Sequence, residues 1–353
     1  MREDGSQATL PQAPSIPTTM EEAIDPAWLT AALAPLSGGS RVISVELAEV
    51  IKTMASKVRI KVRFANDPET VHAFCLKAFL GEQGAGGLTT IREGKFYTDI
   101  APATTMRLPK VPAVILDQEN GEGILIMEDM IAAGARFCSA LEPFTPELAA
   151  QSLDQLARLH SRADIAAELD WLPTRIDVIG AKQHFTVERQ QELLDDPRSK
   201  TLPERTKSAR LLYDGIKALS ARNASKPKTL LHGDCHAGNL FLTADGPGFT
   251  DWQLVQRGHW SLDVAYHMGA ILPVPVAEAH ERDLLKGYLD ARRQHGGDAP
   301  DWNEAWDDYR AAQIYGFYHW AITTRVDPEI INIFIERLGA GVTRHDSYAL
   351  LGL

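Results

Sequence analysis

The chain has 353 residues, 44% hydrophobic and 24% charged, and its 36 basic and 47 acidic side chains give a formal net charge of −11. An acidic surface repels nucleic-acid phosphates, so nucleic acid is not an expected partner. Three cysteines are too few for a disulfide framework, and no apolar run approaches the roughly 20 residues of a membrane span, so we expect a cytoplasmic protein without a membrane partner. The length indicates two domains or one domain of two lobes, and the oligomeric state stays open.

The region before residue 130 is predicted to be rich in β-strands. Residues 1–19 are rich in Pro, Gln, Ser and Thr and are expected to form a disordered tail. Asp25 and Pro26 then mark the start of a short helix, as N-cap and first helical residue. Apolar residues at 58, 60, 62 and 64 alternate with basic ones, which predicts a half-buried antiparallel strand. Further predicted elements are a strand over 71–79, a helix over 89–100, and strands over 111–116 and 123–127, joined by a hairpin turn at Asn120-Gly121.

Beyond residue 130 the apolar residues repeat with helical spacing. Helices are predicted over 146–160, 204–221, 276–295 and 302–322. Between the second and third of them lies a short β-like segment, 229–251, which contains the densest group of polar side chains in the chain. The sequence therefore predicts an α+β protein, with a small β-rich part followed by a larger helical part.

The polar group in this segment has the composition of a phosphoryl-transfer site. It reads HGDCHAGN over 232–239, and Asp251 follows Asn239 by twelve residues. In such chemistry one aspartate accepts the proton of the attacking hydroxyl, and an Asn and a second Asp supply hard oxygen ligands to Mg²⁺. A hairpin with Asn239 on one arm and Asp251 on the other would bring both to one metal ion.

These residues resemble the aminoglycoside phosphotransferase and choline-kinase-like superfamily, whose members are relatives of the protein kinases. HGDCHAGN (232–239), DWQ (251–253) and SLDVAY (261–266) carry the resemblance. It implies a two-lobed protein-kinase-like fold, with a small antiparallel β lobe containing one helix and a larger, mainly helical lobe. TDWQ in place of a DFG-type triplet is most similar to the ecdysteroid-kinase-like branch. The implied division is a nucleotide-binding lobe over 20–126, a hinge over 127–131, and a lobe over 132–353 with the catalytic loop and substrate pocket.

The resemblance also implies roles for particular side chains. Asp234 would be the catalytic base, and Asn239 and Asp251 would be the Mg²⁺ ligands. His232 and Asp263 would support the catalytic loop without reacting.

The upstream half supplies residues for nucleotide binding in the same order as the family. Lys77 lies on a predicted strand among apolar neighbours (HAFCLKAF) and would bind the α- and β-phosphates of ATP. Its implied partner is Glu93 on the following helix, with Glu82 in a Gly-rich turn as the second choice.

Adenine and phosphate contacts are implied for backbone groups of the same half. Those near Met127 and Asp129, in the segment ILIMEDM, would bind adenine. The phosphate-covering loop at 51–57 has no glycine, in contrast to the family pattern. The N–H groups of Ala55 and Ser56 would replace that contact, or the loop binds phosphate loosely.

Three functions are compatible with these residues. The leading one is an ATP- and Mg²⁺-dependent phosphotransferase that acts on a hydroxyl group of a small molecule. The second is a nucleotide-binding module without transfer activity, and the third is a metal-dependent hydrolase that uses His232, Asp234 and His236. His236 either contacts the substrate or buttresses the loop. The identity of the alcohol and the choice between ATP and GTP stay open.

Overall fold

The computed structural model describes residues 14–52, 55–81, 87–195 and 197–353. The chain forms two compact units. The first contains the described residues up to Thr98 together with Pro109–Ala133, and the second contains Asp99–Leu108 and Gly134–Leu353. Within the described ranges, every helix is too short or too polar to span a lipid bilayer.

An antiparallel five-stranded sheet forms the first unit. Its strands are β1 (Val42–Lys52), β2 (Ser56–Phe64), β3 (Asp67–Ala78), β4 (Ala113–Asp117) and β5 (Glu122–Glu128). The order across the sheet is β1–β2–β3–β5–β4. The hairpin predicted at Asn120-Gly121 joins β4 and β5, and Gly121 has a φ of +68°, a conformation that favours glycine.

The two faces of this sheet are covered differently. The helices of the unit are α1 (Met20–Ala23), α2 (Pro26–Ala32), α3 (Ala34–Ser37) and α4 (Gly87–Lys95), and a π-helical turn, Phe96–Ile100, follows α4. The first helices pack on alternate residues of β2, including Val58, Ile60 and Val62, to form an apolar core. The helix α4 packs on β4 and β5. The face of β2 opposite the apolar core carries the basic residues of this strand, as the alternation of apolar and basic residues in the sequence predicted.

One predicted boundary in this unit is wrong. The disordered tail was expected to extend to residue 19, but Thr19 is the N-cap of α1. Farther upstream, the indole Nε1 of Trp28 donates a hydrogen bond to the carbonyl oxygen of Ser15 at 2.7 Å. Residues 15–19 therefore belong to the first unit, because local capping and one tryptophan fix them. Residues 1–13 lie outside the described part of the chain.

Helices dominate the second unit. They are α5 (Pro146–His160), α6 (Ala163–Glu168), α7 (Arg175–Ala181), α8 (Val187–Asp195), α9 (Glu204–Lys207), α10 (Ala209–Ala224), α11 (Ser261–Ile271), α12 (Val274–Gln294), α13 (Trp302–Ala321), α14 (Pro328–His345) and α15 (Ser347–Leu350). The predicted single helix over 204–221 is two helices, because the Ser208 side chain accepts a hydrogen bond from the Leu211 N–H and begins α10 anew. The short α11 is buried almost all round, and it packs against α13 and α14.

The strands of the second unit are short and frame the polar segment. They are β6 (Arg136–Phe137), β7 (Thr229–Leu231), β8 (Leu240–Thr243), β9 (Gly246–Phe249) and β10 (Gln256–Gly258). The strands β7 and β10 form one antiparallel pair, and β8 lies between β6 and β9 in another sheet. The loop 232–239 therefore begins and ends at strands, which fixes both of its ends.

Candidate active site

The loop between β7 and β8 turns sharply at Gly233. This residue has a φ of +83°, and a Cβ atom there would lie 2.3 Å from Nε2 of Gln256 and 2.4 Å from the Leu254 carbonyl oxygen. Both the backbone conformation and the close packing exclude a side chain. The Gly233 position therefore fixes the direction in which Asp234 leaves the loop.

Asp263 on α11 fixes the backbone of the same loop. Its carboxylate accepts hydrogen bonds from the N–H groups of His232 at 2.7 Å and Gly233 at 3.0 Å, and from Nε2 of His160 at 3.3 Å. Burial alone would raise the pKa of Asp263, but the hydrogen bonds from His160 and Gly233 hold it below its ordinary value. This fully buried carboxylate is therefore ionised, as a rigid anchor of the loop requires.

His232 is a structural residue in this geometry. Its Nδ1 accepts a hydrogen bond from the Asp234 N–H at 3.2 Å, and its Nε2 lies 3.0 Å from the carbonyl oxygen of Thr250. Burial lowers the pKa of His232, so the ring is neutral and Nε2 is the donor. With both ring nitrogens engaged, His232 has none left for a metal ion.

The carboxylate of Asp234 is held from two sides. Its Oδ1 accepts a hydrogen bond from the Tyr266 hydroxyl at 3.0 Å, and its Oδ2 accepts one from Nδ2 of Asn239 at 3.2 Å. The same Nδ2 binds the Asp234 carbonyl oxygen at 2.8 Å. The Asp234 side chain nevertheless remains 30% exposed. It is thus oriented within the protein and accessible to a reacting hydroxyl group.

Tyr266 is a site residue that the sequence did not predict. Its hydroxyl donates to Asp234 and accepts a hydrogen bond from Nε1 of Trp320 at 2.8 Å. Burial, together with the Asp234 charge, raises the pKa of Tyr266 well above its ordinary value, so it stays a donor. The available signal was its place in SLDVAY, three residues after Asp263 on one helix. Side chains at that spacing lie on the same helix face.

Asn239 and Asp251 lie at the same end of the β8–β9 hairpin. Leu240 is paired with Phe249, and the next hydrogen bond runs from the Thr250 N–H to the Asn239 carbonyl oxygen at 3.0 Å. Asp251 follows directly, with a φ of +65° that residues other than glycine adopt rarely. Such strained backbone is concentrated at functional sites. Because Nδ2 of Asn239 binds Asp234, its Oδ1 is the atom that faces other partners. The amide and carboxylate oxygens fit Mg²⁺, a hard cation.

His236 buttresses the loop while it lies beside Asp234. Its Nδ1 accepts a hydrogen bond from the Gly238 N–H at 3.0 Å, and its Nε2 is 3.7 Å from Oδ2 of Asp234. The ring packs edge-on against Trp320 and Phe334.

In the part of the chain that the structure describes, no three His, Cys, Asp or Glu side chains form a group that could hold a metal ion. The metal-dependent hydrolase hypothesis requires His232 as a ligand, and both of its ring nitrogens already have hydrogen-bond partners.

In the first unit, the structure brings together Lys77 and Glu93. Nζ of Lys77 on β3 lies 2.9 Å from Oε1 and 2.7 Å from Oε2 of Glu93 on α4. The two residues are 4% and 2% exposed. A buried lysine requires such a partner, because an unpaired buried charge is strongly destabilising. Glu82, the second choice, lies outside the described residues.

Of the backbone groups near Met127 and Asp129 that are predicted to bind adenine, the Asp129 N–H is already hydrogen-bonded within the protein. That N–H donates to the Ala73 carbonyl oxygen at 3.0 Å, and the Asp129 carbonyl accepts from the Ala133 N–H at 2.9 Å. Hydrogen-bonded pairs recur at every second residue of an antiparallel ladder, so Met127 points its backbone toward Cys75 on β3 in the same way. Strand register determines the directions in which these backbone N–H and carbonyl groups point, and the sequence does not reveal that register.

Ser56 lies in the sheet as the first residue of β2. It is in register with Lys52 on β1 and with Ala78 on β3, and Ala55 before it is buried. Thr53 and Met54 of the proposed phosphate loop lie outside the described residues.

Together, an antiparallel sheet unit with a buried Lys–Glu pair and a helical unit with the anchored HGD loop define a protein-kinase-like phosphotransferase fold. The sequence model of the phosphotransferase enzyme family (APH) matches residues 88–329, so the chain belongs to this family. The predicted superfamily, fold class and enzyme class are confirmed, whereas the ecdysteroid-kinase-like branch stays a prediction.

Two solved structures of kinases are similar to this chain. One is the choline kinase from Cryptosporidium parvum Iowa II, with a TM-score of 0.51 and 13% identity over 94% of this chain and 93% of that chain. The other is the Plasmodium vivax ethanolamine kinase, with a TM-score of 0.49 and 15% identity over 91% of this chain and 87% of that chain. At such identity the likeness to the choline kinase concerns the fold. No protein of curated function has a significantly similar sequence.

Proposed function

We propose that this phosphotransferase transfers the γ-phosphoryl group of ATP to a hydroxyl group of a small molecule, with Mg²⁺ as cofactor. The arrangement around Asp234 carries the proposal. Its carboxylate is fixed by Tyr266 and Asn239, stands in a loop that Asp263 anchors, and remains partly exposed. General bases in proteins need this combination of fixed orientation and access to the reacting proton.

In this mechanism Asp234 accepts the proton of the acceptor alcohol. The alcohol oxygen forms a bond to the γ-phosphorus as the bond from that phosphorus to the bridging oxygen breaks, which leaves ADP and a phosphate ester. Asn239 and Asp251 would hold Mg²⁺, which neutralises charge on the phosphates when it is bound. Asp263 takes no part in the proton transfer, because its carboxylate is buried and occupied by its donors.

The first unit would bind the nucleotide. Lys77, oriented by Glu93, is proposed to contact the α- and β-phosphates. We propose the first unit as the nucleotide-binding lobe, with the hinge at 127–131 within its last described segment, Pro109–Ala133. The second unit, Asp99–Leu108 and Gly134–Leu353, is the proposed lobe with the catalytic loop and substrate pocket, so the predicted lobe 20–126 loses residues 99–108 to it. The proposed adenine contact is made by backbone groups near Met127 and Asp129 other than the Asp129 N–H, which donates to the Ala73 carbonyl oxygen.

The test is transfer by purified protein. Wild-type protein with Mg²⁺ and ATP would be screened against amino alcohols, sugars and aminoglycosides, with ADP release as the readout and ³¹P NMR to identify the phosphate ester. Asp234→Asn is expected to lower turnover by about 10³-fold and to keep MgATP affinity. Asp245→Asn, an exposed aspartate in the β8–β9 turn, is the matched control and should leave both unchanged.

Two results would contradict this proposal in different ways. Turnover by Asp234→Asn at the wild-type rate would exclude Asp234 as the base. MgATP binding by the wild type without transfer to any acceptor would favour the nucleotide-binding module, the second function compatible with the sequence.

A further inference from the structure

A row of basic side chains lies on one face of the first sheet. Lys57, Arg59 and Lys61 occupy every second position of β2, and the register places Lys57 directly opposite Lys77 on β3. The thiol of Cys75 lies close enough to feel these charges. Burial raises the pKa of this thiol to about 11, while the positive charges of Lys57, Arg59 and Lys77 act to lower that pKa. The ammonium groups of Lys57 and Lys77 therefore lie on the same side of the sheet.

Two members of the row have carboxylate partners on the neighbouring strand. Nη1 of Arg59 lies 2.6 Å from Glu49, and Nε of Arg59 lies 2.9 Å from Asp129. Nζ of Lys61 lies 2.9 Å from Glu46. Both glutamates are on β1, directly opposite their basic partners. The chain thus provides a counter-charge for each of these two positions.

Lys57 breaks the pattern. Its partner on β1 is Ile51, and its partner on β3 is Lys77, which Glu93 already binds. Over the described ranges, no hydrogen bond or ion pair reaches the Lys57 ammonium group, although the residue is half-buried. Like charges directly opposite each other on adjacent strands are destabilising, and a partly desolvated charge without a partner adds to that cost. Lys57 is therefore a cation for which the described residues provide no counter-charge.

We infer that Lys57 is a second cationic contact for the nucleotide phosphates, beside Lys77. This inference rests on the proposed function. It also fits the absence of glycine from segment 51–57, because a lysine at the end of that segment supplies a mobile point charge where the family pattern has glycine.

Binding of MgATP and of magnesium tripolyphosphate, measured by calorimetry, tests this contact. Tripolyphosphate carries phosphates without a base, so both probes should bind Lys57→Met about tenfold more weakly than wild type, equivalent to about 1.4 kcal/mol. Lys57→Arg keeps the charge and should retain most of the affinity. Lys61→Met is the matched control on the same strand and should bind both probes as the wild type does.

Stability provides a second readout. Because Lys57 faces a like charge, Lys57→Met without ligand should melt at the wild-type temperature or above it, so weaker binding could not result from misfolding. Wild-type affinity of Lys57→Met for tripolyphosphate would overturn the inference and leave the proposed function intact. Equal losses in Lys57→Met and Lys57→Arg would also overturn it. Absence of MgATP binding by wild type would instead refute the proposed function.

Discussion

Replacing Asp263 by Asn tests how the catalytic loop is held. The substitution keeps the shape of the side chain and removes its charge and one of its two acceptor oxygens. If the amide oxygen takes the place of Oδ2, the hydrogen bonds from His232 and His160 persist in weaker form. The amide NH₂ group then faces the Gly233 N–H. In the wild type this N–H donates a hydrogen bond to Oδ1 at 3.0 Å, and in the variant it becomes a buried donor without an acceptor.

The expected cost follows from these contacts. A hydrogen bond to a charged group contributes about 1.5–3 kcal/mol, and an unsatisfied buried N–H costs about 1–3 kcal/mol. The weakening of the two remaining bonds adds to this, because bonds to neutral acceptors are roughly half as strong. We therefore expect Asp263→Asn to lose about 3 kcal/mol of the free energy of unfolding. That loss corresponds to roughly a 150-fold change in the equilibrium constant.

Urea unfolding followed by tryptophan fluorescence measures this loss in the relevant unit, because Trp252 and Trp260 are buried there. Asp290→Asn, which breaks an exposed pair with Arg293 on α12, is the control and should cost under about 0.5 kcal/mol. Equal stability of Asp263→Asn and the control would refute the anchoring argument.

The same variant makes a prediction about pH. The pKa of Asp263 is lower in the folded chain than its ordinary value of 3.8. The stability that its carboxylate contributes is therefore fully present above that value and is lost as the pH falls through the lowered pKa. The gap in stability between wild type and Asp263→Asn should be constant near neutral pH and should narrow in acid. A gap that widens in acid would contradict the assigned charge.

The remaining predictions concern the base and the buried ion pair. Tyr266→Phe should lower kcat by about ten- to a hundredfold, because Asp234 loses the hydrogen bond that orients it, and the affinity for MgATP should not change. Tyr213→Phe is the control, since Tyr213 is a buried tyrosine whose hydroxyl binds the Phe185 carbonyl oxygen instead. An equal loss of kcat in Tyr213→Phe would show a general packing effect. Lys77→Met should destabilise the protein by about 3–5 kcal/mol, because it removes the ammonium group that binds the buried Glu93 carboxylate. Lys77→Met/Glu93→Leu should recover most of that loss. Double-mutant cycles in urea measure the coupling, and additive losses would contradict it.

Contacts that depend on short stretches of sequence could be predicted. The HGD loop and the residues around Asp251 lie within twenty residues of one another, so a hairpin sufficed to relate Asn239 to Asp251. Lys77 was conspicuous because it interrupts an apolar strand, and that required a partner such as Glu93 on the next helix. In both cases the chemistry of a single residue restricted its surroundings.

Contacts that depend on strand register or on packing between distant helices could not be predicted. The opposition of Lys57 and Lys77 and the direction of the Asp129 N–H follow from register, which no local pattern encodes. The Tyr266–Trp320 hydrogen bond joins two residues on different helices that are 54 positions apart in sequence. Each of these contacts is decided by tertiary structure.

The central claim, that this chain binds MgATP through the β8–β9 hairpin, is tested most directly by thermal unfolding of wild type and Asp251→Asn with ATP, Mg²⁺ and both together. Asn tolerates the left-handed backbone at this position, so the variant should fold. A ligand at a hundredfold excess over its Kd stabilises the folded state by about 2.7 kcal/mol. We expect MgATP to raise the Tm of wild type and of Asp245→Asn, and to raise that of Asp251→Asn much less. Equal Tm shifts in wild type and Asp251→Asn would contradict the claim.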